Sequence, residues 1–237
     1  MIVYERPIRI EWDGDTVMVD GKFMKYEARK LSEMNDVFYS FQPVAEDYPV
    51  YFMFRNIVAK NGIRYDITLI PNRMFDDEFA KTYGHYHPLA ENNLTYPEVY
   101  QVLYGEALFL LQGKNKDASV NVIKVKATKG DILLIPPNFG HVTINPHYTP
   151  LLLSNLVADG FRAEYEEYKQ NHGAALYYTR GGWISNGNYV VRSIKEYKPE
   201  EINAQFNFKA TDLLSEFFAT PEKFEFLKRP GLLTKSF

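Results

Sequence analysis

The sequence predicts an all-β protein, closed as a barrel or a sandwich. Short apolar runs rich in Val, Ile, Leu, Tyr and Phe recur between residues 49 and 157, separated by Gly, Pro and Asn. Such a density of short strands is the mark of a closed β architecture. The composition agrees: 18 Tyr and 17 Phe in 237 residues favour pleated, half-buried surfaces. Helix-like patterning is confined to short stretches near residue 30, near residue 166 and beyond residue 198.

Taken in order, residues 8–20 alternate on either side of Asp13-Gly14, a hairpin signal. Residues 26–34 (YEARKLSEM) have helical propensity and no breaker, which predicts a short helix outside the sheet, and residues 35–48 read as irregular. Residues 49–58 and 64–71 are apolar strands joined by an Asn61-Gly62 turn. Residues 74–80 connect to strand candidates at 82–87, 98–112 (interrupted at Gly105), 120–125, 131–135, 141–145 and 151–157. Residues 163–170 read as a helical turn, and 176–180 with 189–194 as a hairpin around residues 185–188. After Lys198 the character changes. Thr211 is placed as the cap of a helix carrying Leu213, Leu214, Phe217 and Phe218, and Thr220-Pro221 as the start of another carrying Phe224 and Leu227. The expected division is a barrel domain at 1–197 and an extension at 198–237, whose apolar pairs need the barrel or a second subunit to cover them.

Bulk properties exclude several classes. A formal charge of −3 gives no polyelectrolyte signal for nucleic acid or membrane. The absence of cysteine excludes disulfides, thiolate catalysis and Cys-ligated zinc. The N-terminal MIVYERPIRIEWDGD lacks the apolar core of a signal peptide, and no apolar run approaches bilayer length. A cytoplasmic enzyme or binding protein is the expectation.

His85 and His87 are two residues apart. On a strand that spacing sends both imidazoles to one face and Tyr86 to the other. Glu98, opening the next strand, adds a carboxylate, and His141, after the Pro136-Pro137 turn, adds a third imidazole. Three His and one Glu suit a borderline divalent ion such as iron, manganese, nickel, zinc or cobalt better than Mg or Ca. Four protein ligands leave one or two octahedral positions for water or substrate. His147 and His172 have no such context and read as surface residues.

The same residues carry a resemblance. The chain resembles the cupins: His85-Tyr86-His87, Glu98 and Gly105 follow the first cupin motif, and Gly130, Pro136, Gly140, His141 and Asn145 the second, with Asn138 where cupins usually carry Gly. Within cupins it is most similar to the cupin-type glucose-6-phosphate isomerases. Thr82-Tyr83-Gly84-His85-Tyr86-His87, Glu98-Val99-Tyr100 and the run from Pro136 to Asn145 match their signature. The likeness spans residues 8–195. Three departures stand out. Ten residues, PLAENNLTYP, lie between His87 and Glu98 where the family usually has six; Asn72 stands where a Gly tends to follow Thr68 and Pro71; and Tyr83 stands where many members have Lys, although Lys81 is near.

The resemblance implies a jelly-roll β-barrel with short peripheral helices, to which this chain adds a C-terminal helical appendage. It implies interconversion of glucose 6-phosphate and fructose 6-phosphate, in glycolysis and gluconeogenesis. One divalent transition metal per subunit is expected, iron first, then manganese, nickel or zinc, held by His85, His87, Glu98 and His141. Glu98 is also the catalytic candidate, shuttling a proton through an enediol, with a hydride shift as the rival mechanism. Thr68, Thr82, Gly84, Tyr51, Tyr100 and Tyr165 are the substrate-binding candidates. A phosphosugar substrate and a homodimer are implied, without nucleic-acid or membrane partners. The alternatives are another phosphosugar such as mannose 6-phosphate, a cupin dioxygenase, or a sugar-binding cupin.

Overall fold

The computed structural model describes residues 1–40, 43 and 45–233. Positions 41, 42 and 44, in the expected irregular stretch 35–48, and positions 234–237, in the extension, lie outside the described residues. The barrel strands are β1 (Glu27–Lys30), β2 (Pro49–Lys60), β3 (Ile63–Ile70), β4 (Glu98–Tyr104), β5 (Glu106–Lys114), β6 (Val120–Thr128), β7 (Ile132–Ile135), β8 (Phe139–Ile144), β9 (Leu151–Ala158) and β10 (Val191–Tyr197). They form two sheets, one of six strands in the order β7-β4-β9-β3-β2-β1 and one of four in the order β8-β5-β6-β10. All neighbours are antiparallel except β6 and β10, which run parallel. This is the jelly-roll plan of a cupin, with Gly105 marking the corner where β4 leaves one sheet and β5 enters the other.

The six-stranded sheet is buried on both faces, which is why β9, LLLSNLVA, is an unbroken buried run rather than an alternating one. Its inner face joins Val102, Leu133, Leu151 and Leu153 to Phe109 and Val122 of the other sheet. Its outer face carries Tyr65, Ile67, Leu69, Val99 and Leu156. That face is covered by residues of an N-terminal meander (Ile2–Tyr4, Ile10–Trp12, Val17–Val19 and Lys22–Phe23) and of the C-terminal segment. The segment consists of helices α3 (Pro199–Gln205) and α4 (Leu213–Ala219) and of 3-10 turns Pro221–Leu227 and Pro230–Leu232. Asn203 of α3 also seals the sheet edge, accepting from the Leu134 N–H at 2.8 Å and donating to the Ile132 carbonyl at 2.7 Å.

Several local expectations are corrected. Residues 27–30 are strand, not helix, because they pair with β2, and the helix is reduced to α1 (Leu31–Met34). Residues 82–87 form no named strand; they run extended beside β8 through isolated bridges. Strand Leu176–Thr179 turns back at once onto Gly182–Ser185, so the expected pairing of 176–180 with 189–194 does not form. β10 instead crosses to lie parallel to β6. The helical turn near 166 is α2 (Glu166–Gln170). The cap of α4 is Asp212, whose Oδ1 accepts from the Ser215 N–H at 2.7 Å, while Thr211 donates to Glu216. α3 was not expected, although Pro199 at its first turn followed by Glu200 and Glu201 is a start signal.

Candidate metal centre and active site

Four side chains meet at one end of the space between the sheets. The run 82–87 is held against β8 by reciprocal main-chain bonds, His85 N–H to His141 oxygen at 3.2 Å and His141 N–H to His85 oxygen at 3.0 Å. That pairing places three imidazoles from two adjacent segments side by side. Glu98, first residue of β4, lies opposite Val157 and Ile135 and reaches them from the other sheet. One ligand atom from each of His85, His87, Glu98 and His141 lies within 4.8 Å of the others. His85 is partly exposed and the other three are buried. Tyr86 points away from them, as alternation requires, but packs against Tyr168 of α2 and donates nothing to solvent exposure, being 5% accessible.

The Nε2 atoms of His85 and His87 are 3.1 Å apart, and Glu98 Oε2 is 3.5 Å from His87 Nε2 and 3.2 Å from His141 Nε2. The other Glu98 oxygen accepts from Asn155 Nδ2 at 2.6 Å. His87 Nδ1 meets the Tyr96 main-chain oxygen at 2.9 Å, and the Tyr100 hydroxyl is 3.2 Å from His141 Nε2. Glu98 Oε2 is buried without a hydrogen-bond partner. A buried carboxylate oxygen left bare and facing imidazole nitrogens fits a divalent cation. The donor set is that of a borderline transition ion.

The electrostatics keep these donors ready. Burial, then the neighbouring His141 and His87, push His85 well below the usual histidine range. Burial lowers His87 to about 4, against the opposing pull of Glu98. Burial alone would raise Glu98, but the facing His141, with His87, outweighs it and holds the carboxyl low. The Tyr100 phenol is pushed far up by burial and by Glu98, so it stays protonated. A depressed histidine takes up its proton in the folded state only below its lowered value. In metal-free protein the His87 ring is therefore expected to titrate near 4, not 6.5, by NMR. Between those values the unfolded chain binds the extra proton, so this group's contribution to stability is lost as pH falls from 6.5 towards 4. A His87 midpoint at or above 6 would contradict this account of the site.

His85, His87 and Glu98 line a cavity of about 480 Å³. Of the other candidates, Tyr51, Thr68, Thr82, Tyr100 and Tyr165 line it. Gly84 is placed differently, in the barrel wall at φ +85°, where a Cβ would meet Tyr168 Cδ1 at 2.5 Å and Val142 Cγ2 at 2.6 Å. Gly84→Ala is expected to cost about 2–4 kcal/mol, from a left-handed backbone that disfavours a side chain and from overpacking. Urea unfolding measures it, and a loss below 1 kcal/mol would mean that the wall yields. Lys81 faces away from the cavity: its ammonium is buried, bonded to Glu78 at 2.5 Å and to the Val37 carbonyl at 2.7 Å.

Sequence reasoning missed the cations of this cavity. Arg55 and Arg64 line it, with Arg162 and Asn155. Asp66, 1% exposed, holds Arg64 at 2.8 Å and Arg55 at 3.4 Å. Arg29 lies over the Tyr83 and Tyr165 rings, 5.3 and 5.2 Å from their centroids. The alternation of Arg64, Asp66 and Thr68 on β3 was the available signal, since it puts all three on one face.

The family model for glucose-6-phosphate isomerase (GPI) matches residues 22–197. The chain belongs to that family. The match includes all four side chains of the cluster and every cavity residue named above, and it stops short of the C-terminal helices. A comparison with curated protein sequences returns no match. Among solved structures, the chain is similar to a cupin 2 conserved barrel domain protein from Rhodopseudomonas palustris, with 12% identity over 61% of this chain and 79% of that one and a TM-score of 0.37. It is also similar to a Klebsiella pneumoniae protein with a double-stranded beta-helix domain, with 20% identity over 46% and 79% and a TM-score of 0.33. A W96Y oxalate decarboxylase of Bacillus subtilis aligns at 12% identity over 48% of this chain, with a TM-score of 0.32. The aligned part is only 26% of the decarboxylase's length. Among the described residues no helix is long and apolar enough to cross a membrane.

Proposed function

We propose that this member of the glucose-6-phosphate isomerase family is a metal-dependent aldose–ketose isomerase that interconverts glucose 6-phosphate and fructose 6-phosphate. The observation that carries the reading is the clustering of His85, His87, His141 and the bare Glu98 oxygen, three of which, His85, His87 and Glu98, line a cavity large enough for a hexose phosphate. Those four side chains are the ligands. When bound, a divalent ion supplies Lewis-acid polarisation of the sugar carbonyl.

The chain's own residues do the rest. The Glu98 carboxylate takes the proton from C2 of the open-chain aldose and returns it to C1 of the enediol, while the hydroxyl hydrogen on O2 is given up and O1 takes one in its place, so that no atom is gained or lost. Asn155 fixes the plane of that carboxylate through Oε1. Tyr100, held protonated, donates its hydroxyl hydrogen within the site. Thr68, Thr82, Tyr51 and Tyr165 supply neutral donors for the phosphate, and Arg55 and Arg64 add positive charge fixed in place by Asp66.

The test is conversion of fructose 6-phosphate to glucose 6-phosphate by purified protein, stripped with a chelator and reloaded with iron, manganese, nickel or zinc. Activity lost on stripping and restored by one ion is the expected result. No turnover with any ion, while metal still binds, would overturn the substrate assignment and direct the assay to other phosphosugars and then to oxygen chemistry.

A further inference from the structure

The ten residues between His87 and Glu98 fold as a hairpin, Leu89–Glu91 against Leu94–Thr95. Three contacts fix it. At its base, the Tyr96 carbonyl meets His87 Nδ1 at 2.9 Å. Along its side, the Thr95 N–H donates to Asn138 Oδ1 at 3.0 Å, and the Asn138 N–H donates to Thr95 Oγ1 at 2.7 Å. On its other strand, Glu91 Oε1 accepts from the Gly231 N–H at 2.9 Å, in the 3-10 turn Pro230–Leu232 of the C-terminal segment.

A carbonyl only accepts, so His87 must carry its proton on Nδ1 and present the Nε2 lone pair to the other ligands. Fixing the second nitrogen sets both the tautomer and the ring plane of a metal-binding histidine. The ring is fixed from above as well. Phe161 lies 4.7 Å from the His87 centroid and stacks on Tyr96 at 4.7 Å and 10°. A two-stranded hairpin this short does not hold its own shape in water. Its shape therefore depends on Asn138 and Gly231.

We propose that the 88–97 hairpin, braced by Asn138 and by the C-terminal turn at Gly231, positions His87, so that the C-terminal extension sets the metal affinity of the centre. Tyr96 acts through its main chain, and Asn138 and Glu91 act through Tyr96. All three are positioning residues. The inference rests on the four side chains being a metal centre, and it does not depend on which sugar is turned over.

The test uses the full chain and Co²⁺. Asn138 stands at φ +68°, which glycine adopts without strain, so Asn138→Gly removes the side-chain acceptor and keeps the turn. Glu91→Ala removes the other brace, and Glu91→Gln restores an acceptor. Each of the first two variants is expected to weaken Co²⁺ binding about 10-fold in chelator competition, and the pair together about 100-fold, the span seen for lost outer partners of a metal ligand. The visible d–d absorption of bound Co²⁺ should change with them, and Glu91→Gln should recover both readouts. Parental affinity and an unchanged spectrum in the variants, whatever their stability, would overturn the proposal. If Asn138→Gly fails to fold, the Glu91 pair decides. A parent protein that takes up no Co²⁺ would overturn the metal centre as well.

Discussion

Glu98→Gln is expected to lower kcat by about 10²–10⁴-fold while the protein still takes up one metal ion per chain at saturating metal. The substitution keeps the shape of the side chain and an oxygen for the imidazoles to face, but it removes the charge and the capacity to accept a proton. Asn155 keeps an acceptor, since a glutamine amide oxygen can stand where Oε1 now takes its bond at 2.6 Å. Stability should therefore change little. Metal content by elemental analysis and kcat measured together separate the two roles. Unchanged turnover with metal bound would remove Glu98 as the proton carrier and favour a hydride shift, for which no base is needed.

Phe224→Ala is expected to cost about 3–5 kcal/mol of unfolding free energy, the range for emptying a buried phenylalanine site. Phe224 is fully buried, with ring centroids of Phe208, Phe217 and Phe226 at 6.5, 6.1 and 6.4 Å. It belongs to the cluster on the outer face of the six-stranded sheet with Leu69, Leu152 and Leu156. The extension is thus packed as core, and a urea transition should move as a whole. A loss below 1 kcal/mol, or a separate early phase, would mean that the segment is only loosely docked.

The cluster of three histidines and a glutamate was legible because strand alternation turns the spacing of His85 and His87 into a shared face, and because Glu98 and His141 each open or follow a recognisable turn. The arginines were not. A charged residue on a strand ordinarily reads as solvent-facing, and Arg55 and Arg64 point into the cavity only because Asp66 is buried beside them. Residues 27–30 have helical propensity, but the open edge of β2 recruits them as a strand. The hairpin at 176–185 was misread because its turn is Arg180-Gly181, with Gly182 at φ +103°, and the Asn-rich stretch after it is not the turn. Asn138 looked like a loss of glycine. It tolerates the same left-handed backbone and gains the bond to Thr95. For residues 27–30 and for Asn138 the deciding partner lies far away in the chain, where local pattern carries no information.

The parallel seam between β6 and β10 makes the order of synthesis matter. β6 pairs with β5, the strand just before it, but the partner of its other edge is residues 191–197, which follow only after all of residues 129–190. Non-local pairing of this kind closes late, and until then a row of backbone amides and carbonyls stands open to a neighbouring nascent chain. Lys124, set between apolar residues of VNVIKVKAT and paired with Glu196 across the finished seam, places positive charge beside that waiting edge and discourages it from pairing with a copy of itself.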